Sequence, residues 1–78
     1  MTNRADIGVI GLAVMGQNLI LNMNDHGYHV IAHNRTKTTT DAFLDGPAKG
    51  TNIKRADTLE ELVSGLSTPR KIMMMVQQ

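Results

Sequence analysis

Two short stretches of this 78-residue chain carry the residue types from which phosphate recognition is built. Gly11, Ala13 and Gly16 stand in a Gly-x-Ala-x-x-Gly spacing directly after the apolar run Ile7-Gly8-Val9-Ile10. The order reads as a strand, a tight turn and the first turn of a helix, a near match to the glycine fingerprint of dinucleotide-binding folds. Gly11 permits the turn, the small Ala13 lets main chain approach a pyrophosphate, and Gly16 lets the helix lie close against the strand. Leu12, Val14 and Met15 complete the loop. Unpaired N–H groups at the helix start and the positive end of its dipole then face the phosphates. Ala13 departs from the general pattern by one methyl group, and such turns also serve packing alone.

The second stretch is Asn34-Arg35-Thr36, which follows a second apolar run and begins 23 positions past Gly11. In NAD-binding folds of this kind an acidic residue at that place bonds the ribose hydroxyls. Here there is no carboxylate to repel a 2′-phosphate, and the Arg35 guanidinium can pair with one. Thr36 adds a hydroxyl donor. A charge-assisted hydrogen bond is worth about 1.5–3 kcal/mol, enough to move preference between NAD and NADP tenfold or more. The pair of stretches therefore reads as an NADP site. A lone arginine after a strand is otherwise a solvated charge, and Asn34-Arg35-Thr36 is also a glycosylation sequon, relevant only to a secreted chain.

The remaining reactive residue types form no site. His26, His29 and His33 lack a shared ligand spacing and an acidic partner. Met73, Met74 and Met75 alternate faces of a strand and read as packing rather than a soft-metal site. Ser64 and Ser67 have no neighbouring base. There is no cysteine, so disulfides and thiolate metal sites are excluded. Net charge is +1, too small a field to draw nucleic acid or an anionic membrane. Arg4 followed by the apolar 7–15 run imitates a signal peptide, but Asp6 and the glycines argue against one, and no run is long enough to span a membrane. A cytoplasmic chain is expected.

These stretches must be held by alternating strands and helices. Strands are expected at 6–10, 28–33 and 71–76. The first helix is expected at 13–25, with Met15, Leu19, Ile20 and Met23 on its buried face and Gly27 closing it. Thr38-Thr39-Thr40-Asp41 opens a short helix that runs through Phe43 and Leu44 and ends at Asp45-Gly46-Pro47. Residues 49–56 read as a loop with at most a brief extended piece at Ile53. Thr58 and Glu61 form a capping box for a helix carrying Leu59, Leu62, Val63 and Leu66 along one side. Thr68-Pro69 breaks the chain before the last strand, whose methionines are expected to be buried. Residues 1–5 read as a polar lead-in without a role. The fold class is α/β: the first half (βαβαβ) of a doubly wound parallel Rossmann sheet in the order 3-2-1, truncated after the third strand. Strand one would then have an open edge, and the isolated chain would be marginally stable.

The run GLAVMGQNLILNMNDHG at 11–27, with Asn34-Arg35-Thr36, Ala48-Lys49-Gly50-Thr51 and Pro69-Arg70-Lys71, resembles the amino-terminal segment of the decarboxylating 6-phosphogluconate dehydrogenases. That family carries an alanine where Ala13 stands. The resemblance implies NADP⁺-dependent oxidative decarboxylation of 6-phosphogluconate to ribulose 5-phosphate and CO₂, a step of the pentose phosphate pathway, in a homodimer. It implies that Gly11, Leu12, Ala13, Val14, Met15 and Gly16 hold the pyrophosphate, and that Asn34, Arg35 and Thr36 hold the ribose and its 2′-phosphate. Val76 and Gln77 would lie along the cofactor. Where the family continues with lysine and then Ala-Gly, this chain has Gln77-Gln78. The family's general-base lysine, general-acid glutamate, substrate-phosphate ligands and helical dimerisation domain lie on parts absent here. Lys37, Lys49 and Lys54 are therefore expected to be solvated, and Glu60 and Glu61 to belong to a helix start. Residues 1–78 are then the first part of the cofactor domain, without a catalytic residue. Three alternatives stay open: a non-catalytic dinucleotide-binding module, an inactive truncated fragment, and a related NADP-dependent 3-hydroxyacid dehydrogenase.

Overall fold

A computed structural model describes residues 5–67 and 71–75. The apolar run forms strand β1, Ile7–Ile10, and after the glycine turn the chain enters helix α1, Val14–Asp25. Gly27, at φ +89°, closes α1 in a Schellman arrangement: its N–H donates to Asn24 O, and the Tyr28 N–H donates to Met23 O, each at 3.1 Å. The second strand is β2, Val30–His33, and helix α2 spans Lys37–Asp45. It starts a residue before the expected threonine cluster, with Thr36 as its cap and Thr40 and Phe43 buried.

Residues 49–56 are not simply a loop. Lys54–Arg55 is a short strand, β3, paired in parallel with Ile31 and Ala32 of β2. Both its side chains are exposed, so no apolar alternation marks it in the sequence; Ile53 and Ala56 on either side are the buried anchors. Helix α3, Leu59–Ser64, begins at Thr58, whose Oγ1 accepts the Glu61 N–H at 3.1 Å. The return bond of the capping box is displaced by one residue, since Glu61 Oε1 accepts from the Asp57 N–H at 2.7 Å. Strand β4, Ile72–Met74, follows. The expected break at Thr68-Pro69 lies outside the described residues.

The four strands form one parallel sheet in the order β3-β2-β1-β4. The α/β class and parallel pairing are as expected, but the strand order is corrected. The final strand does not join the outer side of β2, because β3 already occupies it. It pairs with β1 instead, from Gly8 with Ile72 to Ile10 with Met74. The first strand is therefore interior and has no open edge.

Each sheet face carries its own core. Val9, Val30 and Ala32 pack with Leu12, Ile20 of α1 and Phe43 of α2 on one face. Ile31 and Ala56 pack with Leu62, Leu66 and Ala5 on the other, where α3 lies. Ala5 is thus no idle lead-in residue: it is fully buried, its N–H donates to Gly65 O, and its carbonyl accepts the Ser67 N–H.

Three burial expectations change. Met15 is 73% exposed, because α1 meets the sheet through Gly16 and Ile20, which turns Met15 outward. Leu59 and Val63 are exposed, leaving Leu62 as the buried anchor of α3 with Leu66 just beyond it. Ile72, Met73 and Met74 are exposed as well, since β4 is an edge strand among the described residues and no helix covers it.

Candidate functional site

The strand order fixes where a site can form. Successive connections carry the chain from β1 to β2 to β3 in one direction, over the face of α1 and α2. The next, through α3, crosses the opposite face and returns to the far side of β1. The order reverses beside β1, and in open α/β sheets ligands bind outside the carboxyl ends of the strands at such a reversal. A crevice of about 530 Å³ opens there, beyond Ile10 of β1, His33 of β2 and the residue after β4, Met75.

Gly11, Leu12 and Ala13 form one wall of this crevice, and Asn34, Arg35 and Thr36 form another. The two stretches singled out in the sequence thus share one opening. Gly11 sits at φ +106°, with its N–H donating to His33 O at 2.9 Å; a Cβ there would collide with the Met75 carbonyl. Gly16 is buried below the crevice, where a Cβ would strike the Gly11 carbonyl. These glycines let turn, helix and strand approach within backbone contact. Val14 and Met15 begin α1 as exposed residues and are not part of the crevice wall. Val76 and Gln77 lie outside the described residues.

The start of α1 has the electrostatics of an anion site. Its cap residue, Ala13, provides no side-chain hydrogen bond, and the first turn has no acidic residue. The first N–H groups of a helix have no partner within it, and the cap residue Ala13 at this helix start lines the opening. Among the described residues no Asp or Glu lines the crevice. Arg35 is exposed at its edge and makes no ion pair among the described residues.

Arg55 contrasts with it. Its guanidinium lies 2.6 Å from Asp41 and 2.8 Å from Asp57, tying α2 to β3 and the approach to α3. The hydrogen bond from Arg55 holds the Asp57 carboxyl below its usual value of 3.8. That arginine is committed to the scaffold, whereas Arg35 has no such partner among the described residues.

A second hollow, about 590 Å³, is lined by Asp6, Tyr28, Ser67 and Lys71 among others, near the amino ends of the strands. Its carboxylate is engaged, since Asp6 Oδ2 accepts the His29 N–H at 2.9 Å.

The sequence matches a family model described as the NAD binding domain of 6-phosphogluconate dehydrogenase over residues 6–78. This chain belongs to the 6-phosphogluconate dehydrogenase family. It is 64% identical over 77 residues to the decarboxylating 6-phosphogluconate dehydrogenases of Aggregatibacter actinomycetemcomitans and Haemophilus influenzae, matching 99% of this chain and 16% of each relative. The human enzyme is 58% identical over 74 residues, covering 95% of this chain and 15% of that protein. The chain therefore spans about one-sixth of the length of these relatives. A solved structure of Plasmodium falciparum 6-phosphogluconate dehydrogenase superposes with a TM-score of 0.83 at 38% identity, covering 94% of this chain and 16% of that one. That enzyme has been solved in its apo form, with its cofactor NADP⁺ and with its substrate 6-phosphogluconate.

The crevice also contains residues that the motifs did not mark. His33 is buried, and its Nδ1 lies 2.9 Å from Ala56 O; a carbonyl only accepts, so that nitrogen carries a proton. Leu59 and Met75 reach the opening from α3 and from the end of β4. His33 directly precedes Asn34, so its position at the strand end was the available signal. Leu59 and Met75 had none, because their place depends on which strand lies beside β1.

Proposed function

We propose that this chain is the NADP-holding segment of an enzyme that oxidatively decarboxylates 6-phosphogluconate to ribulose 5-phosphate and CO₂. Residues 1–78 are the first part of its cofactor domain. The observation that carries the reading is the shared crevice: an uncapped helix start on one wall, an unpaired arginine on the other, and no carboxylate between them among the described residues. In this reading Gly11, Leu12, Ala13, Val14, Met15 and Gly16 form the turn and helix start around the pyrophosphate. Asn34, Arg35 and Thr36 take the ribose and its 2′-phosphate, and Val76 and Gln77 run along the cofactor. NADP⁺, when bound, supplies the hydride acceptor. The segment's own residues bind and orient it, and the residues that move the substrate's protons belong to other parts of the enzyme. The working protein is a cytoplasmic homodimer; no helix among the described residues is long and apolar enough to cross a membrane.

Calorimetric titration of a full-length dehydrogenase carrying this segment, with NADP and NAD side by side, tests the reading. NADP is expected to bind at least roughly tenfold more tightly, the size of one charge-assisted hydrogen bond. Equal affinities would refute it.

A further inference from the structure

Leu12 of the glycine loop has its main chain held by side chains at both its N–H and its carbonyl. Its N–H donates to Asn34 Oδ1 at 3.0 Å, across 22 residues of sequence. Its carbonyl accepts from Gln17 Nε2 at 2.7 Å, one turn into α1. Its side chain is fully buried in the core beneath. Asn34 is further tied to its own loop, since Nδ2 donates to Thr36 O at 3.2 Å. Each polar atom of the Asn34 amide thus has one partner within the protein, which leaves a second Nδ2 hydrogen and a second Oδ1 lone pair. One side chain bridges the wall that would meet the pyrophosphate and the wall that would meet the ribose.

From this geometry we infer that Asn34 and Gln17 are positioning residues that clamp the main chain of Leu12, one at its N–H and the other at its carbonyl. They fix the glycine loop in the orientation that aims the next N–H groups into the crevice, and they join that loop to the Arg35 loop. The inference rests on the cofactor reading above and adds to it. Gln17 acts without lining the crevice, and Asn34 acts through Leu12 as well as at the ribose end. The physical basis is preorganisation: a loop already held in its bound form loses less conformational freedom when the ligand arrives. The Leu12 N–H is spent on Asn34, so the clamp also determines which amides remain for phosphate.

The test uses a full-length dehydrogenase carrying this segment. Gln17→Met keeps the side chain's length and removes its donor. It is expected to raise KM for NADP roughly fivefold, the worth of one net hydrogen bond, with kcat unchanged. Inhibition by adenosine 2′-monophosphate, which probes the ribose end alone, is expected to stay as it was. Combining it with Asn34→Leu should cost less than the product of the two single losses, because both release the main chain of the same residue. In the unsubstituted protein, hydrogen exchange resolved by fragmentation mass spectrometry should find the Leu12 amide protected, and this readout needs no variant to fold. An unprotected Leu12 amide, an unchanged KM in Gln17→Met, or an equal loss for adenosine 2′-monophosphate would overturn the inference. Failure of the unsubstituted protein to bind NADP would overturn the cofactor reading, and this inference with it.

Discussion

Replacing Arg35 by aspartate puts the proposed cofactor preference to its sharpest test. Arg35 stands at the exposed edge of the crevice, on the wall opposite the glycine loop, with no acidic partner among the described residues to release when it is removed. A charge-assisted hydrogen bond to a phosphate is worth about 1.5–3 kcal/mol, and exposure to water places this one at the lower end. Losing the guanidinium alone should therefore weaken NADP about tenfold. The new carboxylate adds repulsion of about 1 kcal/mol at 4 Å in a water-like medium, roughly a further fivefold. NAD has no 2′-phosphate and should be little affected. The ratio of kcat/KM for NADP over NAD should therefore fall by roughly fiftyfold in steady-state assays of a full-length dehydrogenase carrying the segment. The NADP deficit should shrink as salt is added, since screening acts over about 10 Å at 0.1 M. An unchanged ratio would refute the reasoning. An equal loss for both cofactors would refute it too, because it would place Arg35 against the part of the molecule they share.

Three further outcomes follow from the scaffold. Gly16→Val should destabilise the protein by about 1–3 kcal/mol or more in thermal unfolding, because the added atoms meet the Gly11 carbonyl and α1 must move off β1. Met15→Gln should shift stability by no more than about 0.5 kcal/mol, whereas Ile20→Ala, fully buried in the same helix, should cost about 2–5 kcal/mol; equal costs would mean that α1 is rotated from the position described. Asp57→Asn removes a carboxyl whose value Arg55 depresses below 3.8. A depressed carboxyl contributes its stabilisation above its unfolded value, and the contribution is lost as pH falls through the folded one. The unsubstituted protein should therefore lose more melting temperature between pH 5 and pH 2 than the variant, and parallel curves would show that the ion pair is not maintained in solution.

The parts legible in the sequence are those governed by neighbours in the chain. The turn at Gly11, the closure of α1 at Gly27 and the cap at Thr58 each depend on one residue's conformational range or one short side chain's reach. The meeting of the glycine loop with Asn34-Arg35-Thr36 was legible for a similar reason. Both follow the carboxyl ends of adjacent parallel strands, and parallel pairing brings such ends together. Tertiary structure decided the rest. Lys54–Arg55 is too short and too polar to declare itself a strand, and it becomes one only because the outer side of β2 has free hydrogen-bonding groups. Once that side is filled, the last strand pairs with β1, which places Met75 over Gly11. The outward face of Met15 follows from the contact between Gly16 and the turn, which outweighs the apolar periodicity of α1. The bond from Leu12 to Asn34 spans 22 residues and exists only when both strands are in register. Sequence determined the local shapes and the charges they display; register and strand order, set by long-range pairing, determined what those shapes face.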